Sequence, residues 1–224
     1  EPPSSRRYAE LFAGFLTAVA AGPVVIVGNS IGGGVAIRHA AAHPGQVRGL
    51  VLANPSGLDA FDVITRVACA GMARFFRAGM RRAWWFPAAF AAYYRSVLPL
   101  PAAATQRARI VASADEIVPV LAAAWAGFAS PDADLRALAP TIACPVLFTW
   151  AVRDRFIQLR RNLPAILTFP NARVVELSAG HAPQLETPDA FEVEVARFLA
   201  SLPGGAAPSA PPSRWDQSCG DGCG

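Results

Sequence analysis

The sequence predicts an α/β fold: a parallel sheet flanked by helices, with a helical cap inserted partway along the chain. Three observations predict it. Short, largely apolar runs at 24–27, 47–53, 146–150 and 173–177 recur along the chain, the pattern of strands in a sheet covered by helices. Helical spacing of apolar residues separates the first two runs and follows the last, which is the order of βαβ units. Residues 58–137 carry no convincing strand pattern and are rich in Ala, Arg and aromatic residues.

Bulk composition sets the limits. The chain has 224 residues, enough for one domain with an insertion. Hydrophobic residues make up 53% and charged residues 16%, which supports a large core and excludes wholesale disorder. The net charge is +4, all twenty basic residues are Arg, and no dense basic run occurs, so no nucleic-acid partner is expected. Residues 11–37 carry no charged side chain and are long enough for a membrane span. Gly22-Pro23 lies in the middle of that stretch, where it would break a helix, and the apolar spacing changes there from helical to β-branched. Two separate elements are predicted instead. No signal-peptide pattern is visible and nothing demands an oxidising compartment, so a cytoplasmic location is the expectation.

In order, Tyr8, Leu11, Phe12, Phe15, Leu16 and Val19 recur at helical spacing and predict a helix over 5–21. Gly22-Pro23 turns the chain into a strand at 24–27. A second helix, 31–42, is stopped by His43-Pro44-Gly45, and a strand at 47–53 ends at Asn54-Pro55-Ser56-Gly57. Within 58–137, helices break near Pro87, Pro99-Leu100-Pro101 and Pro131. Cys144-Pro145 leads into the strand at 146–150 and Asn171 into that at 173–177. The last helix, 188–202, presents Phe191, Val195, Phe198 and Leu199 as its apolar stripe. Residues 203–224 are Gly-, Pro- and Ser-rich and predict a disordered tail. The core is thus 1–57 together with 138–202, and the cap is 58–137.

Metal chemistry finds little support. His39 and His43 stand four apart in HAAAH, half of a zinc-binding arrangement, but no third ligand is near; solvent-facing or core-edge positions are expected. Cys69 and Cys144 sit in apolar surroundings and read as buried free thiols. Cys219 and Cys223 could pair or bind a metal, although two thiols alone make a poor site. No cofactor is expected.

The chemistry lies elsewhere. Gly28-Asn29-Ser30-Ile31-Gly32 fits Gly-x-Ser-x-Gly at a strand-to-helix turn. Such a turn holds the Ser in a strained backbone conformation with its hydroxyl projecting from the sheet. Residues two before and two after are expected to lie too close to it for side chains, hence Gly28 and Gly32. The following helix turns its positive end to the Ser, and the Ile31 N–H can donate to an oxyanion. Gly33 and Gly34 let that helix approach its neighbours closely. A Ser hydroxyl needs a base; His181, in SAGHAPQLETP, follows a predicted strand on the same carboxyl edge. An imidazole used as a base needs a carboxylate to fix its tautomer. Asp154, four residues beyond Trp150, has that address, although a surface ion pair with Arg153 or Arg155 is the plainer role. Asp59 is the fallback acid.

Through VVIVGNSIGGGVAIRHAAAHPGQVRGLVLANPSG, CPVLFTWAVRDRFI and LSAGHAPQLETPDAFEVEVARFL the chain resembles the α/β-hydrolase fold superfamily, over residues 5–57 and 138–200. The resemblance implies Ser30 as nucleophile, His181 as general base and then acid, Asp154 as the orienting carboxylate, and a helical cap over the site. It implies a hydrolase acting on a small apolar carbonyl compound, a carboxylic ester above all, through an acyl-enzyme. The Asn of GNS is also similar to carbon–carbon bond hydrolases of ring-cleavage products, and a catalytically inactive fragment serving as a binding module is a further alternative. Family members have strands before the elbow, and a loop there donates the second oxyanion N–H; here the elbow follows the first predicted strand. The expectation is therefore a carboxyl-terminal portion of a longer protein, with an unpaired apolar edge at 24–27, unstable or nearly inactive by itself. MARFFRAGMRRAWWFPAAFAAYYR, residues 72–95, reads as an apolar lid or as aromatics packed inward with Arg facing water. A basic amphipathic helix on an anionic membrane is the rival, and membrane contact is not the expected partner.

Overall fold

In the computed structural model, which describes residues 4–19 and 22–203, the four apolar runs form one parallel sheet. Its strands, β1 (Val24–Asn29), β2 (Val47–Ala53), β3 (Val146–Ala151) and β4 (Ala172–Leu177), pair in the order β1-β2-β3-β4. Each observed strand begins and ends within two residues of its predicted run. The central strands β2 and β3 show little polar alternation because both faces of the sheet are covered there, whereas Arg173 and Glu176 of the edge strand β4 face water. On one face Leu50, Leu52, Phe148 and Trp150 pack with Ile37 of α2 (Ile31–Ala42) and Ile166 of α7 (Leu159–Ile166). On the other, Val51, Ala53 and Leu147 pack with Phe191, Phe198 and Leu202, the first two from α9 (Pro188–Ser201). Leu199, expected in that stripe, is half exposed; Leu202 takes its place.

α1 (Ser5–Ala18) is capped by the Ser4 hydroxyl, which accepts from the Arg7 N–H, and packs on α2. Only part of its predicted stripe is covered: Leu16 is buried, whereas Leu11, Phe15 and Val19 are more than half exposed. The uncharged stretch 11–37 is divided into α1, β1 and the start of α2, and among the described residues no single helix is long and apolar enough to cross a membrane. β1 is an edge strand of the sheet, as the sequence leads one to expect, and Val27 is 56% exposed on it.

Between β2 and β3 every regular element is helical: α3 (Val63–Met80), α4 (Phe86–Val97), α5 (Ala104–Ala112) and α6 (Ala114–Phe128), with short 3-10 turns. Asp62 caps α3 by accepting from the Thr65 N–H. These helices have their own core, in which Phe76, Phe86, Phe90, Tyr94, Val118 and Ala122 meet. The break expected near Pro87 is present. Pro87 stands in the first turn of α4, where its missing N–H has no partner to lose, and the break falls just before it, at 81–85.

Two further expectations are corrected. His39 is neither solvent-facing nor at the core edge: it is 1% exposed, edge-on to Phe12 and 4.8 Å from the His43 ring. Burial, and then His43, hold its pKa below the usual imidazole value. Cys144 is half-buried rather than buried, while Cys69 is buried; burial pushes both thiols up. The tail beyond 203, including Cys219 and Cys223, lies outside the described residues.

Candidate active site

All four strands deliver a polar residue to one rim. Ser30 follows β1, Asn54 follows β2, Asp154 stands three residues beyond β3 and His181 four beyond β4. In a parallel sheet the carboxyl ends of all strands share one edge, so these residues converge although far apart in sequence.

Ser30 has φ 53° and ψ −117°, a backbone conformation that costs a side-chain-bearing residue about 1–3 kcal/mol. Three hydrogen bonds hold it. The Ser30 N–H donates to Ala53 O at 3.0 Å, and the Ser30 carbonyl accepts from Ser56 N–H at 3.0 Å and Gly34 N–H at 3.2 Å. The glycine requirement is distributed differently from the expectation. A Cβ at Gly28 would stand 2.6 Å from the Gly32 carbonyl oxygen, and one at Gly33 2.6 Å from Pro55 Cβ, whereas one at Gly32 would meet nothing within 4 Å. The crowding comes from the helix's first turn and from the loop after β2, not from a side chain at 32. Gly28→Ala is therefore expected to abolish soluble folded protein. Gly32→Ala is expected to fold and, by helix propensity, to gain up to about 1 kcal/mol in urea denaturation. Equal behaviour of the two variants would contradict the elbow packing.

Asp154 Oδ2 lies 2.7 Å from His181 Nδ1. The Asp154 side chain is fully buried, which overturns the surface ion pair with Arg153 or Arg155. Burial alone would push its carboxyl up. The hydrogen bond and charge of His181 outweigh burial, helped by the N–H groups of Phe156 and Ile157, and hold it below the usual carboxylate range. Those two N–H groups donate to Oδ1 at 2.8 and 3.2 Å. Asp59, the fallback acid, is engaged elsewhere: Arg161 Nε donates to both its oxygens at 2.8 and 3.0 Å.

The sequence reading missed Asn54. It is fully buried, has φ 40°, and closes a polar knot between the ends of β2 and β3. Its Nδ2 donates to Asp154 Oδ2 at 2.8 Å, the same oxygen that meets His181, and its Oδ1 accepts from the Ala151 N–H at 2.7 Å. The available signal was a polar residue ending a buried apolar strand, with no solvent to satisfy it. Asn54→Ala leaves the Ala151 N–H unpaired and frees the carboxylate to shift. A loss of about 2–4 kcal/mol in chemical denaturation is expected from the hydrogen bonds broken and the Ala151 N–H left unpaired, and a loss under 0.5 kcal/mol would contradict the knot.

The loop carrying His181 is fixed from three sides. Asn29 Nδ2 donates to the His181 carbonyl and to Ala53 O, both at 2.9 Å. The His181 N–H donates to Val97 O at the end of α4, at 2.9 Å. A Cβ at Gly180 would collide with Pro99, so the chain between α4 and α5 presses directly on this loop.

Asn29, Ser30, Ile31 and His181 line one cavity of about 330 Å³, within the size range of small-molecule sites. Its other wall comes from the helices between β2 and β3, including Cys69, Tyr93, Val97, Leu121, Trp125 and Phe128. Burial raises the pKa of both cavity tyrosines, Tyr94 to about 12, so their hydroxyls stay protonated and able to donate. Ile31 is the first residue of α2, where N–H groups lack intrahelical partners. Among the described residues no group of three or more His, Cys, Asp or Glu could hold a metal ion.

Comparison with known proteins agrees with this architecture. A profile of the Alpha/beta hydrolase family matches residues 1–194. Among solved structures, a hydrolase from Pseudomonas aeruginosa is 26% identical with a TM-score of 0.68, the match covering 90% of this chain and 74% of that one. A thermophilic esterase from Thermogutta terrifontis is 21% identical, TM-score 0.69, covering 89% and 73%. The enol-lactonase from Burkholderia xenovorans is 23% identical, TM-score 0.63, covering 89% and 74%. With its parallel sheet, its elbow and a family match over most of its length, the chain belongs to the alpha/beta hydrolase family.

Proposed function

We propose that the protein is a serine hydrolase that cleaves a carboxylic ester, or a related carbonyl compound, bearing an apolar group. His181 Nε2 takes the proton of Ser30 Oγ as that oxygen attacks the carbonyl carbon. The Ile31 N–H donates to the resulting oxyanion. His181 then gives the proton to the departing alcohol, leaving Ser30 acylated. Water, deprotonated by the same imidazole, attacks the acyl group and releases the acid. The observation that carries this reading is the Asp154–His181 hydrogen bond: with Nδ1 engaged by a buried carboxylate, Nε2 is the nitrogen left to act as base. The apolar wall of the cavity supports an apolar acyl or alcohol group, and the helices α3–α6 serve as the lid that excludes water. An esterase and a lactonase among the structural neighbours support an ester or lactone over other carbonyl compounds.

Carbon–carbon bond hydrolysis rested on Asn29, whose amide is committed to two backbone carbonyls. Its Nδ2 holds the His181 loop, a role that bears on neither reaction. The test is hydrolysis of p-nitrophenyl esters of increasing acyl length by the full chain. Slow turnover of butyrate or longer esters, above that of acetate and absent in Ser30→Ala, is expected. Equal rates for wild type and variant across the series would overturn the proposal.

A further inference from the structure

The corner between α3 and α4 contributes no residue to the cavity just described and has a composition of its own. From Val63 to Ala114 the chain holds eight Arg and no Asp or Glu. On α3, Arg74, Arg77 and Arg81 stand at i, i+3 and i+7, which places them on one side of the helix; all three are exposed, as is Arg82 in the turn. None of the four side chains has a hydrogen-bond or ion-pair partner among the described residues. The turn is sharp: Arg82 has φ 56°, and α4 begins at Phe86. Its two adjacent tryptophans behave differently. Trp85 lies 6.1 Å from the rings of both Phe75 and Phe86, anchored to the helical core. Trp84 is 91% exposed, and Met80 beside it is 54% exposed.

An indole held almost wholly in water, four residues from an exposed Met and on a corner that carries four unpaired guanidinium groups, matches one environment in particular. At a membrane–water boundary the apolar body of Trp sits at headgroup depth, and Arg meets anionic headgroups. We propose that the α3–α4 corner docks on an anionic lipid surface, with Trp84 and Met80 entering the interfacial layer and Arg74, Arg77, Arg81 and Arg82 contacting headgroup phosphates. This reverses the expectation drawn from the sequence, because the indole's exposure is visible only in the fold. A nucleic acid is the weaker occupant: Met80, exposed at the same corner, can hydrogen-bond neither phosphates nor base edges, whereas it fits an apolar interfacial layer. The proposal goes beyond the hydrolase reading and does not depend on it.

Flotation of the full chain with vesicles tests it without reference to turnover. Vesicles of phosphatidylcholine containing phosphatidylglycerol are expected to carry the protein at low salt, and vesicles of phosphatidylcholine alone to leave it behind. Trp84→Ser is expected to weaken binding roughly tenfold through lost apolar insertion. The triple variant Arg77→Gln, Arg81→Gln, Arg82→Gln is expected to weaken it roughly a hundredfold. Arg160→Gln, an exposed arginine on α7, serves as the control and should bind as wild type. No flotation, equal flotation with both vesicles, or wild-type binding by Trp84→Ser would each overturn the proposal. So would a loss in Arg160→Gln equal to that in the triple variant. Binding of a single-stranded oligonucleotide with the same Trp84 and Arg dependence, without vesicle binding, would replace the lipid by nucleic acid.

Discussion

Ser30→Ala is expected to fold as the parent chain does and to lose that chain's turnover down to the uncatalysed rate, since removing the nucleophile of a serine hydrolase removes nearly all of the catalysis the active residues supply together. The two halves of this expectation come from different observations. The fold should survive because the bonds that hold residue 30 use its backbone N–H and carbonyl, which Ala also provides. The positive φ is no worse for Ala than for Ser, since the crowding resides in the Cβ that both carry. Turnover should collapse because, on the proposed mechanism, the covalent intermediate cannot form without the Ser30 hydroxyl. KM should change little, since the apolar wall from the α3–α6 helices is untouched. A fall of only tenfold would mean that the reaction does not pass through Ser30.

Asp154→Asn is the second large effect, and the geometry makes it more severe than a lost charge. Oδ1 accepts from the Phe156 and Ile157 N–H groups, so the amide oxygen of Asn must occupy that position. Its NH2 then replaces Oδ2 and confronts the Asn54 Nδ2 donor, which had bonded Oδ2 at 2.8 Å. It also faces His181 Nδ1 and can donate to it only if that nitrogen loses its proton. The imidazole then carries its proton on Nε2, where the base is needed, and a loss of about 10⁴ in kcat follows. Turning the amide over leaves two backbone donors unpaired, at about 1–3 kcal/mol each. A pH dependence distinguishes this from simple misfolding. The folded-state pKa of Asp154 is held below its unfolded value. Its contribution to stability is therefore present above the unfolded value of about 3.9 and lost as pH falls through the folded value. The stability difference between wild type and Asp154→Asn should narrow below about pH 4, and a constant difference would show that the carboxylate is not specially stabilised.

The central strands were legible because burial on both faces makes each a short, mainly apolar run, as in 146–151. The elbow was legible for a different reason, since its backbone needs glycines that no side chain can replace at 28 and 33. Gly32 misled: the motif names it, but the space beside it is open. Asp154 and His181 were found by address, each just past a strand on the same edge. Asn54 had the same address and was overlooked, because its amide acts by bridging two strand ends, a pairing across β2 and β3 that spacing along the chain does not encode. The helices between β2 and β3 were recognisable as helices, but which of their side chains enter the cavity and which face water depends on how α3 and α6 pack. Tyr93 and Trp84 share one stretch of sequence and have opposite surroundings for that reason.

The most direct measurement is intact-mass spectrometry of the full chain after incubation with a fluorophosphonate, with the adduct mapped by peptide sequencing. One adduct per chain is expected, on Ser30, forming at a rate that falls by orders of magnitude in His181→Ala. An unmodified chain, an adduct on another residue, or a rate indifferent to His181 would contradict the activation of Ser30 by the His181–Asp154 pair.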